Sequence, residues 1–212
     1  MKSVNILIIT LVALFGFTTT ATAQYNDHEE QFELSPEQVE QIKEKGAEKT
    51  AQMNSYISYM ANKKKKMERR LEKKVNALNL FLGEGNSYKE FGEYKEGVVM
   101  QITSKRTNKV TSTPLMRKYF QDLIDKLNVY SDVNISSTEV AGIKVTKLRR
   151  VDTNEWVCTC QYDQVFEGIR DGRLIYRDIT TKYVECHVYV EKTELGDEFV
   201  VKLGDVYAVD TK

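Results

Sequence analysis

The chain is 212 residues long and carries 31 lysines and arginines against 31 aspartates and glutamates. A formal net charge of zero supplies no global field for nucleic acid. Two prolines and 11 glycines exclude a collagen-like or disordered chain, and three cysteines are too few to build a disulfide scaffold.

Residues 1–23 read as a secretory signal peptide. Met1-Lys2 is a minimal basic start, Asn5 to Phe17 an apolar core, and Ala21-Thr22-Ala23 an A-x-A cleavage site before Gln24. The apolar run is short for a membrane span of about 20 residues. The expectation is an exported protein, periplasmic or secreted, cleaved after Ala23. Residues 24–34 are acidic, polar and without period, a flexible mature N-terminus in which His28 faces solvent.

A helix opens at Ser35-Pro36. Ser35 can cap, Pro36 suits the first helical position, and Gln38 completes a capping box. The pattern predicts one long charged helix over 35–82. Its stripe, in steps of three and four residues, runs through Met53, Ile57, Met60, Lys64, Met67, Leu71, Val75, Leu78 and Leu82, apolar except at Lys64, with Gly46 the weak point. Either Gly46 breaks this helix or its first half projects from the body. From Gln24 to Lys49 eight acids face three lysines. From Lys63 to Lys74 eight bases (Lys63, Lys64, Lys65, Lys66, Arg69, Arg70, Lys73 and Lys74) face two glutamates. A solvated helix face is the simple reading of that basic run. Contact with an anionic surface, an envelope protein or another copy of the chain is the sharper one. Nucleic acid is not expected, because no aromatic residues interleave the bases.

Gly83 and Gly85 end the helix. Residues 88–97 read as a loop with Tyr88, Phe91 and Tyr94, 98–103 as a short strand, and 104–113 as loop. Pro114 opens a second helix over 114–127 with a wide apolar face. A meander of strands follows from Val133 to Val209. It turns at Asp152-Thr153-Asn154, at Arg170-Asp171-Gly172 in a bulged three-residue hairpin, and at Glu194 to Asp197, with a bulge at Gly204. The expected organisation is therefore a sheet domain over 83–212 behind the helix of 35–82. The fold class is α+β, with the long N-terminal helix and the second helix packed on a curved antiparallel sheet of four to six strands.

Alternation sets the faces of that sheet. Trp156, Cys158, Cys160, Tyr162 and Cys186 share the inner face, whereas His187 points out as an exposed residue. Cys158 and Cys160 are too far apart along one strand to bridge. A Cys158–Cys186 bridge across the hairpin and free buried thiols both fit the register. No metal site or cofactor is expected, since His187 lies on the face away from the cysteines. The same separation excludes Cys–His catalysis. Asp178 shares inner parity with Tyr176. In a pocket with Trp156 and Tyr162 it could act as an acid or base, although a bulge near Asp178 that lets the carboxylate reach water is the simpler expectation.

The helix ending at Phe81-Leu82, the strand at Val98-Val99-Met100, the helix from Pro114 to Leu127 and the three hairpins resemble, in order, the cystatin-like superfold in its nuclear transport factor 2-like form. That resemblance implies a curved sheet wrapped around a long helix, making a cone with a pocket. The build also resembles small exported proteins of envelope-rich bacteria. The expected function is a non-enzymatic exported binding or interaction protein of the cell envelope. The alternatives are a pocket enzyme using Asp178 with tyrosines, and a structural component of an envelope assembly.

Overall fold

The computed structural model describes residues 33–105, 109–194 and 196–212. The signal peptide, the cleavage site, His28 and the acidic stretch before Glu33 lie outside the described residues.

The first helix, α1, spans Pro36–Ala61. Its capping box forms as the sequence predicts: the Ser35 hydroxyl accepts the Gln38 N–H at 3.2 Å, and Gln38 Oε1 accepts the Ser35 N–H at 2.8 Å. Gly46 does not break it. The glycine is buried, and a Cβ there would lie 3.4 Å from Cys160 Sγ, so its small size lets the helix sit close to the sheet.

The predicted single helix over 35–82 is instead two. The break falls at residues 62–66, and α2 runs Met67–Leu78. Four consecutive lysines repel one another within one helical turn, and each of the first two is drawn to a partner outside the helix. Lys63 Nζ donates to the Leu127 and Tyr130 carbonyls, both at 2.6 Å, and Lys64 pairs with Asp132 at 2.8 Å. The break resets the phase of the apolar stripe. Met67, Leu71 and Val75, expected inside, are 50%, 41% and 59% exposed.

Two short strands, β1 (Tyr88–Glu90) and β2 (Glu93–Lys95), form a hairpin where a loop is predicted. Its two turn residues, Phe91 and Gly92, both have positive φ, 47° and 84°. That is the backbone a two-residue hairpin requires. Val99 and Met100, expected in a strand, make only isolated bridges. The strand begins later, as β3 (Ile102–Ser104), which pairs with β4 (Lys109–Ser112). Helix α3 covers Met116–Asp125 and buries Met116, Tyr119, Phe120, Leu123 and Ile124.

The main sheet is antiparallel and six-stranded. Three long strands, β8 (Glu155–Arg170), β9 (Arg173–Thr193) and β10 (Gly196–Thr211), follow β5 (Asp132–Ser137), β6 (Lys144–Val145) and β7 (Arg149–Asp152). The order is β10-β9-β8, with β5, β6 and β7 all pairing along the far edge of β8. The β8–β9 turn is a two-residue Asp171-Gly172 loop with both φ positive, not the predicted three-residue bulged form. A bulge interrupts β10 between Leu203 and Val206, at the predicted Gly204. Helix α1 lies across β5, β8, β9 and β10. Ile42, Met53, Ile57 and Met60 have no exposed surface and share one core with Cys160, Tyr162, Val184, Cys186 and Leu203. The first helix is thus part of the sheet domain and not a separate arm, because its apolar stripe is the cover of the inner sheet face.

Candidate functional site

A cavity of about 260 Å³ lies between α3, β3 and the inner sheet face. Helix α3 and the turn after it contribute Tyr119, Asp122, Leu123, Lys126 and Leu127, and β3 contributes Ile102 and Thr103. From the sheet come Ile135, Gln164, Phe166, Asp178, Thr180 and Lys182. The last three stand at alternate positions on β9, so alternation presents a carboxylate, a hydroxyl and an ammonium to one space.

Asp178 is 8% exposed and Lys182 is 4% exposed. The bulge that was expected to free Asp178 sits nearer the turn, between the Gly168–Tyr176 and Ile169–Leu174 pairs, and Asp178 remains inward. The Tyr176 hydroxyl donates to Asp178 Oδ2 at 2.7 Å. The Tyr176 ring packs edge-on against Phe166, which packs edge-on against Tyr130. Burial pushes the Tyr176 hydroxyl above its ordinary range, and its bond to the Asp178 carboxylate raises it further, so it stays a donor.

Lys182 was not singled out from the sequence. Its Nζ lies 3.3 Å from Met100 Sδ and 5.9 Å from the centre of the Tyr119 ring. No carboxylate lies within ion-pair distance of it among the described residues. Asp122, the α3 acid that lines the same cavity, is held by Lys118 and by Lys126 at 2.8 Å. Burial lowers the Lys182 pKa to about 8, against the smaller opposing pull of Asp178. A sequence signal existed: Lys182 has the same parity as Asp178, Val184, Cys186 and Val188, a lysine on an otherwise buried face.

The other predicted pocket residues are packing. Trp156 is buried away from the cavity under the Arg150 guanidinium, 5.7 Å from the ring centre. Tyr162 is buried in the core beside the cavity wall, and next to it Gln164 donates to Asn54 of α1 at 3.2 Å. All three cysteines are buried thiols. Cys158 and Cys186 are backbone partners as predicted, but the sulfurs brought together are Cys160 and Cys186, 3.4 Å apart. The close pair is diagonal to the register.

The basic run is not one free surface. Arg70 is 5% exposed and bonds to the carbonyls of Met60, Leu123 and Ile124. Lys63, Lys64, Arg69 and Lys74 have protein partners. Lys65 and Lys73 lie over tyrosine rings. Lys66 is the exposed residue before α2.

His187 points to the outer face as predicted but is 2% exposed, not open to solvent. The β1–β2 hairpin covers it, with Phe91 6.5 Å away between ring centres and Glu90 alongside. An extra hairpin where the sequence shows only loop accounts for this burial.

The fold and the cavity define an α+β pocket protein, with helices closing one side of an antiparallel sheet. No family model matches the sequence. No curated protein matches it. Among solved structures, the fold is similar to a putative scytalone dehydratase from Novosphingobium aromaticivorans (10% identity, 82% of this chain and 89% of that one, TM-score 0.38). It is also similar to a type 2 hexachlorocyclohexane dehydrochlorinase, LinA (9% identity, 80% and 90%, TM-score 0.36), and to a protein from Kribbella flavida (13% identity, 80% and 94%, TM-score 0.36).

Proposed function

We propose that the chain takes a small organic molecule into the cavity under α3 and carries out acid–base chemistry on it. The observation that carries this reading is the pair of buried groups, Asp178 and Lys182, facing one 260 Å³ space. Four residue steps along the strand set the two backbones about 13 Å apart. The space between them suits a substrate with an oxygen, carbonyl or carboxylate, at the Lys182 end. A buried ammonium without an ion-pair partner favours negative charge at that position and strengthens it as charge develops. Asp178, with one oxygen engaged by Tyr176, offers the other to a substrate proton. The reaction class is proton abstraction next to a carbonyl or carboxylate. The cavity lies just below the usual range of about 300–1,000 Å³, so the substrate is small.

The second reading is binding without turnover, favoured by the half-apolar wall of Ile102, Leu123, Leu127, Ile135 and Phe166. A panel of small enolisable keto acids in deuterated buffer separates the two. The wild-type chain is expected to exchange the α-hydrogen of at least one member. The Asp178→Asn chain should still bind that compound, by ligand-observed NMR, while losing exchange by 100-fold or more, on the order of one general base. Equal exchange in both overturns the catalytic reading and leaves binding. Export and cleavage after Ala23 are part of the proposal, which places the substrate outside the cytoplasm. So is contact of the α2 face with an envelope partner or a second copy, supported by exposed Met67, Leu71 and Val75 beside Lys66.

A further inference from the structure

The outer face of β9 carries a second group of chemistry-bearing side chains, independent of the cavity. His187 Nδ1 lies 3.0 Å from Glu155 Oε1. Its Nε2 lies 3.3 Å from Glu90 Oε1 and 3.9 Å from Glu185 Oε2. Three carboxylates thus surround one buried imidazole. Lys95 reaches only the far oxygen of Glu90, at 3.6 Å, and the Tyr207 hydroxyl donates to the other oxygen of Glu185 at 3.4 Å. Gly204 lies beneath: a Cβ there would come within 3.1 Å of His187 Nε2 and 3.2 Å of Glu185 Oε2, so glycine keeps the space between them open.

We propose that Glu90, Glu185 and His187 bind one divalent transition-metal ion of the zinc class, with Glu155 holding the imidazole in place. Two observations carry this. The first is geometric. Metal–nitrogen and metal–oxygen bonds of about 2.0–2.2 Å at tetrahedral angles set donor atoms about 3.4 Å apart. The donor atoms of Glu90, Glu185 and His187 all lie within 4.8 Å of one another, and the two Nε2–oxygen separations bracket the tetrahedral value. The second is the state of Nε2. It is a fully buried ring nitrogen without a well-aligned hydrogen bond among the described residues, yet it points at two carboxylates. The Glu155 carboxylate can only accept, so Nδ1 carries the donated proton, and a metal ion that displaces any proton from Nε2 would take that nitrogen's lone pair. This carboxylate–histidine arrangement orients and strengthens a metal-bound imidazole. A dication also balances the surplus of carboxylates. One nitrogen and two oxygens suit zinc, and manganese, iron or cobalt of similar size, better than magnesium or calcium, which prefer all-oxygen shells. Glu90 and Glu185 are only partly buried, which leaves an entry path.

The test uses the full chain stripped with a chelator and titrated with zinc chloride, then with cobalt chloride as a spectroscopic probe. The expected result is one equivalent of zinc, a rise in Tm on binding, and cobalt bands without sulfur-to-metal charge transfer. Glu90→Gln and Glu185→Gln should each weaken zinc by at least tenfold, and Glu155→Gln by about 10- to 100-fold. Far-ultraviolet circular dichroism of the metal-free variants checks that they fold. Any of four results overturns the proposal. These are no saturable zinc uptake, uptake unchanged in both Glu90→Gln and Glu185→Gln, a thiolate band that moves the ion to the cysteines, or equally tight calcium binding.

Discussion

Lys182 exposes a conflict between stability and use. Its folded pKa, lowered to about 8, lies below the ordinary lysine value of about 10.4. The native state therefore carries the full cost of the buried charge below pH 8. That cost is relieved as pH rises through 8 toward 10.4, where the unfolded chain still binds the proton and the folded chain does not. Lys182→Met preserves volume and removes the charge. It is expected to stabilise the protein by roughly 2–4 kcal/mol at pH 7, from about 1.4 kcal/mol per pKa unit. The gain should shrink steadily as pH approaches 10.4. Urea unfolding of both chains between pH 7 and 10 measures it. The same variant should lose carboxylate binding in the cavity. A stabilising change that removes function is the signature of a group kept for its chemistry. A gain independent of pH would show instead that folded Lys182 keeps its proton across this range, with no lowered pKa.

Arg70 determines how the helices meet. It stands in α2, yet its Nε bonds to the Met60 carbonyl at 2.6 Å and its Nη2 to Leu123 and Ile124 at 3.2 Å. These are carbonyls from the last turns of α1 and α3, which have no partner within their own helices. One planar fork thus closes two helix ends and fixes the turn between α1 and α2. Lysine, a single point donor, cannot reproduce it. Arg70→Lys is expected to lower stability by about 1–3 kcal/mol, the cost of leaving a buried acceptor unmade, and Arg70→Ala by more. Neither should abolish binding in the cavity at low temperature, since Arg70 lies outside its lining. Thermal melts with ligand-observed NMR on the same samples separate the two effects.

The sheet and α1 share one core, so they stand or fall together. Removing residues 24–52 would test an arm if the helix were one. Here it deletes Ile42, Ala47 and Thr50 from the interface and exposes the inner faces of β8, β9 and β10. Ile42 alone, fully buried, contributes on the order of 2 kcal/mol. A natural domain has only about 5–15 kcal/mol in hand. The deletion is expected to give an unfolded or aggregated chain, seen as loss of near-ultraviolet circular dichroism and of a cooperative melt. A folded, monomeric product would show that the sheet is closed by α2 and α3 alone.

Local pattern was sufficient for the α+β class, for the Ser35–Gln38 cap, for the α3 face, and for the inward parity of Cys158, Cys160, Tyr162 and Asp178. Each follows from contacts between residues near one another in sequence, or from the strict two-residue period of a strand. The helix break at 62–66 was hidden, because it depends on carbonyls of Leu127 and Tyr130 some 65 residues away in the chain. The cavity and the second site were hidden for the same reason. Parity placed His187 on the outer face, and the same count, extended to Lys182, would have put that lysine on the inner one. Only the packing of α3 over one face, and of the β1–β2 hairpin over the other, removed both from water. Burial turns an ordinary lysine into a group with a pKa near 8, and an ordinary histidine into a candidate ligand. It is a property of what the distant chain lays on top, which no local run of residues encodes.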